Sequence, residues 1–506
     1  MCGIVSTLNH SDEVVNDMLE QIDHRGKDNR GIYVAGGKGF GTVHLGHNRL
    51  SINDVSELGN QPFVWNDYAL VVNGEIWNYP QLRKEYEERG YEFFSNSDSE
   101  IILYLYKENE LKRLEGMFSF VLHDTLTNEL VISRDWVGKI PLYIYNNDTN
   151  ILIASEMKAI LKVLPQAECK FVPKNSVVRI NTGTGQVHIE EDYYFTWTPF
   201  EDKEFDQDEV NKKTYELLDK AVEKRLLSDV KVATCLSGGI DSSVITYLLS
   251  KKVPDIVSYT CKFDEDSRDL MFARMVAEHI NVPLVEVEIP RDPEELKRKF
   301  LETIKVIEYP STVQMEVGIL QSYVAERMAE DGVKVAFSGE GSDESYGSYG
   351  TFRMFSKKPD WSDVRKKLFE KQYYGNLLRG NNIFMNYGTI ELRCPFFDLD
   401  FLDYTTNLTQ PVLDNSGNQW KKPLAEAFRG HLPDEVCDQE KRAFQKGTNF
   451  KDYIEEVILS DIEINFRNRK KLFHCIGDNF ERIFGFKHRG MRDTLSGTEN
   501  GFTKWT

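Results

Sequence analysis

The rhythm of hydrophobic and polar positions changes near residue 195. Before it, short apolar runs alternate with turn residues, the period-two signal of β-strands. Val121 to Asp124, Leu130 to Ser133, Leu142 to Tyr145 and Ile151 to Ala154 are four such runs, and Asn128, Gly138, Asn146 and Asn147 punctuate them. Apolar residues at helical spacing predict helices over Val14 to Ile22 and Glu100 to Lys107. Residues 196–208, from Thr196-Trp197-Thr198-Pro199 into Glu201-Asp202-Lys203-Glu204, read as a polar linker. Strands and helices then alternate. Lys231 to Leu236, Ile256 to Phe263, Leu284 to Ile289 and Val333 to Phe337 read as strands. Asp241 to Leu249, Asp269 to Ile280, 293–307 and 316–330 read as helices. That alternation predicts a parallel sheet with ligand loops at the strand C-terminal ends. The remainder reads mainly helical, with a polar end from about Lys487.

The length of 506 residues predicts about two to four domains. Hydrophobic residues make up 41% and aromatic residues 12%, enough for sizeable cores and against global disorder. Lys plus Arg is 62 and Asp plus Glu 81, a net charge of −19, which argues against general nucleic-acid or anionic-membrane binding. The basic residues Arg469, Lys470, Lys471, Lys487 and Arg489 read as solvated surface. No apolar run is long enough to span a bilayer, and the start lacks a secretory pattern. The seven cysteines form no Cys-x-x-Cys pair, so neither zinc nor a disulfide framework is expected, and a cytoplasmic setting is.

Cys2 follows Met1 directly. Removing Met1 would give Cys2 both a thiol and an α-amine that titrates near pH ~8, a nucleophile beside its own base. Asn73-Gly74-Glu75 follows the apolar run Leu70-Val71-Val72. An amide and a glycine N–H at a strand end can form an oxyanion hole. Arg49 suits a substrate carboxylate, and Asp98 and Glu75 suit an ammonium. Met1-Cys2-Gly3-Ile4, His24-Arg25-Gly26, Arg49-Leu50-Ser51-Ile52, Asn73-Gly74-Glu75-Ile76 and Ser97-Asp98-Ser99-Glu100 together resemble the class II glutamine amidotransferases. That resemblance implies an α+β N-terminal-nucleophile αββα sandwich that hydrolyses glutamine. Cys2 would be its nucleophile, Asn73 and Gly74 its oxyanion hole, and Arg49, Ile52, Asn73, Gly74, Glu75 and Asp98 its glutamine contacts. Lys27 stands where that family usually has proline.

Leu236-Ser237-Gly238-Gly239-Ile240-Asp241-Ser242-Ser243 ends a strand and opens a helix. Glycines permit a tight turn, and N–H groups with serine hydroxyls at a helix start suit phosphate. The alternative is a simple helix cap by Asp241 or Ser242. No lysine of a kinase-type loop is present. Ser338-Gly339-Glu340-Gly341-Ser342-Asp343-Glu344 follows a second strand. Asp241 and Asp343 are candidate Mg²⁺ ligands.

These strings resemble the ATP-pyrophosphatase signature, and with the first half they resemble the glutamine-dependent asparagine synthetase family. The resemblance implies an α/β doubly wound parallel-sheet ATP-pyrophosphatase domain over 209–506, after a glutaminase domain over 1–195 and the linker. ATP would contact Leu236, Ser237, Gly238, Gly239, Asp241, Ser242, Ser338, Gly339 and Glu340. Glu340 and Lys441 would be catalytic, and ATP and Mg²⁺ would be the cofactors. Glu391-Leu392-Arg393-Cys394-Pro395-Phe396-Phe397-Asp398 resembles a further family segment. The implied reaction adenylates the side-chain carboxylate of aspartate and aminates it with ammonia that crosses an internal passage from the glutaminase. A homodimer is implied too, without an interface signal in the sequence. Two departures concern charge. Gln314 and Ala425 stand where the family often has arginines. They leave the same chemistry on another carboxylate, such as a sugar acid, peptide or modified nucleotide, as the alternative. Cys2 speaks against the β-lactam-forming relatives, and the intact motifs against a scaffold without activity.

Overall fold

The computed structural model describes the chain except residues 38–40, 148–149, 202–203, 310, 350–360, 414–420, 440–443 and 460–506. A first unit takes in Met1–Thr196 and Leu227–Val230. Its strands are β1 (Gly3–Leu8), β2 (Asn29–Gly37), β3 (Gly41–Arg49), β4 (Phe63–Trp65), β5 (Tyr68–Ile76), β6 (Gly116–Asp124), β7 (Glu129–Arg134), β8 (Tyr143–Asn147), β9 (Asn150–Ala154), β10 (Lys170–Phe171), β11 (Ser176–Asn181) and β12 (Val187–Glu190). They form two antiparallel sheets, ordered β10-β8-β9-β1-β3-β2 and β12-β11-β7-β6-β5-β4. The unit's α-helices are α1 (Asp12–Gln21), α2 (Tyr79–Glu88), α3 (Ile101–Lys107) and α4 (Met157–Val163).

Alternation along β5 and β6 builds two cores. Leu70, Val72, Phe118, Phe120 and Leu122 pack with Leu82, Tyr86, Ile101 and Leu105 of α2 and α3. Ala69, Val71 and Val121 face the other way and pack with Ile4, Leu45 and Ile153 of the other sheet. Successive side chains point to opposite faces of a strand. Because both faces here are buried, these strands read as continuous apolar runs. Phe120→Ala would cost about 3–5 kcal/mol. On the other sheet, α1 closes over β1 and β3 where Gly46 leaves no room: a Cβ there would lie 2.7 Å from Val5 and 3.0 Å from Leu19.

The second unit takes in Trp197–Leu226 and resumes at Lys231. Its helix α5 (Gln207–Lys224) opens inside the stretch read as linker, because the Asp206 carboxylate accepts the Glu209 N–H at 2.9 Å. Beyond it lie β13 (Val232–Cys235), α6 (Ile240–Lys252), β14 (Val257–Lys262), α7 (Arg268–His279), β15 (Leu284–Glu288), α8 (Pro293–Ile307), α9 (Thr312–Glu330), β16 (Val335–Phe337), α10 (Ser342–Tyr346), α11 (Trp361–Gly388) and β17 (Glu391–Arg393). Their five strands pair in parallel in the order β15-β14-β13-β16-β17. The chain builds outward from β13 through β14 to β15, then returns to the other side for β16 and β17. That reversal opens a crevice at the C-terminal ends of β13 and β16. No helix among the described residues is long and apolar enough to cross a membrane.

Candidate active sites

In the first unit a pocket is lined by Met1, Cys2, Arg49, Ile52, Gly74, Glu75 and Asp98, among others. Strand register brings them together. β1 runs antiparallel to β3 with Gly3 opposite Asn48, so Cys2 falls opposite Arg49 and its thiol meets the Leu50 backbone. The Leu50 N–H donates to Cys2 Sγ at 3.4 Å, and the thiol reaches the Leu50 carbonyl at 3.7 Å. Arg25, fully buried and held by Glu156 at 2.6 Å, donates to the Cys2 carbonyl at 3.4 Å. Strand β5 supplies Asn73, Gly74 and Glu75. Gly74 has φ +137°, and a Cβ there would lie 2.6 Å from Phe118 Cα, so glycine is required.

Asn73 does not line the pocket itself but sits between Val72 and Gly74, which do. It is wholly buried, and neither its amide oxygen nor its nitrogen has a hydrogen-bond partner among the described residues. Asp98 accepts the Ile76 N–H at 2.7 Å. Glu75 accepts from the Asn53 amide. Arg49 donates to Ser56 O and Asn60 Oδ1, each at 2.7 Å, and to Asp54 O. Burial draws its pKa below the ordinary arginine value. Burial also pushes His47 down to about 3, and its neutral ring donates to Val72 O at 3.1 Å, tying β3 to β5 one residue before Asn73.

In the second unit two loops meet above β13 and β16. Leu236 is buried at the end of β13, its N–H on Tyr259 O at 2.8 Å. Gly238 has φ +79°, and a Cβ there would lie 2.5 Å from Ala273 N. The cap of α6 is Gly239, with no side-chain cap bond, so the alternative of a simple cap by Asp241 or Ser242 is not what the loop forms. Those two lie in the first turn, where Ser242 Oγ accepts the Ser237 N–H at 3.1 Å and donates to Gly239 O at 3.1 Å. A serine that closes the loop from inside the helix removes the need for a side-chain cap. Gly339 lets the second loop press on the first: its Cβ would lie 2.7 Å from Ser242 N and 2.9 Å from Asp241 Cβ. Ser338 Oγ accepts the Glu340 N–H at 3.2 Å. Asp241 and Asp343 converge on the buried ammonium of Lys421, at 2.6 and 2.7 Å. Lys441 lies outside the described residues.

Sequence reasoning assigned no role to several residues here. Asn53, Asn60 and the Arg25–Glu156 pair support the pocket, and Arg379 and Gln321 hold Glu340, at 2.7 and 3.1 Å. Only the His24-Arg25-Gly26 string hinted at any of them. The rest depend on partners far away in the chain. Ala425 is buried one turn after Lys421, whose carbonyl accepts its N–H at 2.9 Å.

Comparison with known proteins agrees in both units. The glutamine amidotransferase domain family matches residues 1–188, and the asparagine synthase family matches 213–373 and 356–472. Asparagine synthetase B [glutamine-hydrolyzing] of Escherichia coli is 31% identical, over 91% of this chain and 85% of its own. The glutamine-hydrolysing asparagine synthetase of Brassica oleracea is 29% identical, over 89% of this chain and 78% of its own. With a glutamine amidotransferase domain ahead of an asparagine synthase domain, the chain belongs to the family of glutamine-hydrolysing asparagine synthetases.

Proposed function

We propose that this chain converts aspartate to asparagine, with glutamine as nitrogen donor and ATP cleaved to AMP and pyrophosphate. The observation that carries the reading is the presence, in one chain, of a pocket around Cys2 and a two-loop crevice at parallel strand ends. Family membership supports it. The first unit takes the N-terminal-nucleophile role and the second the ATP-pyrophosphatase role.

Met1 is removed, and the Cys2 α-amine takes the thiol proton. Sulfur attacks the side-chain carbonyl of glutamine, and the tetrahedral oxyanion is met by the Asn73 amide and the Gly74 N–H. Ammonia leaves as the thioester forms, and water then releases glutamate. Arg49 and Asp98 hold the amino-acid end of glutamine, with Ile52 and Glu75 shaping the site. Three Arg49 donors already bind the loop over 54–60, so that loop fixes the orientation of its remaining edge.

In the second unit, Ser237, Gly238, Gly239, Ser242, Ser338 and Gly339 surround the ATP phosphates. The aspartate side-chain carboxylate attacks the α-phosphorus, pyrophosphate leaves, and ammonia displaces AMP from the acyl-adenylate. Glu340 serves this amide-forming step, and Lys441 offsets phosphate charge. Asp241 and Asp343 would hold Mg²⁺. They fit a cation because they already converge on one, the Lys421 ammonium. Bound Mg²⁺ would offset charge on the departing pyrophosphate. A cytoplasmic setting completes the reading.

Incubation with glutamine, Mg²⁺ and ATP, with and without aspartate, tests it by mass spectrometry of AMP, glutamate and asparagine. Aspartate-dependent AMP in step with asparagine is expected. Glutamate release without aspartate-dependent AMP would sink the assignment of the acceptor.

A further inference from the structure

Helix α11 carries Gly375, Asn376, Arg379 and Gly380 at the spacing of one helical face. Glycines inside a helix weaken it, and both of these have close polar neighbours. A Cβ at 375 would lie 3.2 Å from Gln314 Nε2, and one at 380 would lie 2.6 Å from Glu340 Oε2. The face is cut back to admit polar side chains. Gln314 and Gln321 meet it from α9, where seven residues, two turns, set them on one side.

Arg379 sits at the centre, 6% exposed. Its Nε donates to Gln321 Oε1 at 2.9 Å. Its Nη1 donates to Gln314 Oε1 and, at 3.3 Å, to Asn376 Oδ1. Its Nη2 donates to Glu340 Oε1 at 2.7 Å. Gln321 Nε2 reaches the same oxygen at 3.1 Å. Glu340 Oε1 is therefore gripped by two donors, while the thiol of Cys394 approaches Oε2 only weakly, at 3.9 Å. The carboxylate is fixed through one oxygen and presents the other.

Gln314 closes the set. Its oxygen accepts from Arg379, and its nitrogen donates to Asn376 Oδ1 at 2.8 Å. An amide does both; arginine and lysine only donate. A cation at 314 would take an acceptor from Arg379 and set two buried positive charges together.

We propose that Arg379 is a positioning residue that aims Glu340 for the amide-forming step, and that this cluster requires an uncharged amide at 314. The proposal rests on the reading of Glu340 as a catalytic group. Four Arg379 hydrogen bonds go to Gln321, Gln314, Asn376 and Glu340, so its loss acts on turnover and not on binding.

The test is steady-state kinetics of aspartate-dependent AMP formation by the full-length enzyme. Glutamine hydrolysis and the melting temperature in the same samples report folding. Arg379→Lys keeps the charge and loses the planar fork; kcat should fall about 10²-fold, a misplacement-sized loss. KM for aspartate and for ATP should move less than about threefold. A large rise in KM for aspartate with kcat retained would overturn the positioning role. Gln314→Arg should lose at least about tenfold in kcat, because it takes an acceptor from Arg379 and sets a second positive charge beside it. A Gln314→Arg enzyme as active as the parent overturns the proposal. If Arg379→Lys fails to fold, Gln314→Arg decides, together with Gln321→Leu, which removes the other donor to Glu340 Oε1 and should also lower kcat. Glu340→Gln separates the two layers. Full activity in it means the reading of Glu340 has failed. A dead Glu340→Gln beside an active Arg379→Lys means that only the positioning proposal has.

Discussion

In the first unit, one residue before Gly74 of the Cys2 pocket, the Asn73 amide is fully buried and has no hydrogen-bond partner among the described residues. Above β13 and β16, charged groups are tied to one another instead: Lys421 to Asp241 and Asp343, and Arg379 to Glu340. The cost of leaving each kind of group alone explains the difference. An unsatisfied buried neutral group costs about 1–3 kcal/mol, whereas removing one partner of a buried ion pair costs about 3–5 kcal/mol. A dipole can therefore wait for an oxyanion that forms only during reaction. A charge must borrow a partner from the protein until its ligand arrives. On the proposed function, the Cys2 pocket is thus prepared in advance, and the crevice exchanges partners when it fills.

Breaking the prepared pocket has the largest expected effect. Cys2→Ala should lower glutamine hydrolysis by at least about 10⁴-fold, while added ammonium salt still supports asparagine formation. Loss of the ammonia-supported reaction as well would mean that the two sites are not chemically separate. Next, Asn73→Leu should lower glutaminase kcat by about 10²–10³-fold. Its melting temperature should hold or rise, because an unsatisfied buried amide is removed. A marked fall in stability would show that the amide has partners after all and is not held in waiting.

A third measurement concerns pH. His47 is neutral when folded, with its pKa pushed down to about 3 by burial. Its depressed value means that stability is fully present above the unfolded pKa of about 6.5 and is lost as pH falls toward the folded value. Between pH ~6.5 and ~5 the parent should lose about 2 kcal/mol that a His47→Gln variant does not lose, read from urea unfolding at each pH. Parallel curves for the two proteins would contradict the neutral, buried ring. The smallest effect sharpens the other half of the comparison. Lys421→Met should bind Mn²⁺ about tenfold tighter in the absence of nucleotide, measured by electron paramagnetic resonance, with Lys422→Met near the parent. Equal Mn²⁺ affinity in the parent and Lys421→Met would mean that the lysine does not guard the carboxylates.

The β-runs legible in the sequence were those buried on both faces, such as β6 and β7, where apolar residues are continuous. Strand β3 was not legible, because polar residues interrupt it. His44, His47 and Asn48 are buried there and each bonds a tertiary partner: Asp12, Val72 O and Leu19 O, at 2.7, 3.1 and 2.8 Å. Hydrophobic periodicity fails where buried polar groups find partners far along the chain. The glycines fared better. Gly74, Gly238 and Gly339 each sit where a Cβ would strike neighbouring atoms, a demand that is local and written in the residue type. Gly239 would meet only Ser237 Oγ, at 3.6 Å, so the protein's own packing does not demand glycine there.

By itself the sequence determined the order of the two units, the candidate residues at each strand end, and the family they belong to. Those properties depend on residue type at short spacing. Tertiary structure alone decided how the charges are balanced. The uncharged Gln314 looked like a lost cation, and it is the acceptor that Arg379, 65 residues away, uses. Lys421 lies 180 residues from the Asp241 it neutralises. Whether a buried charge is tolerated depends on what lies within a few ångströms of it, and that is set by how helices and sheet pack.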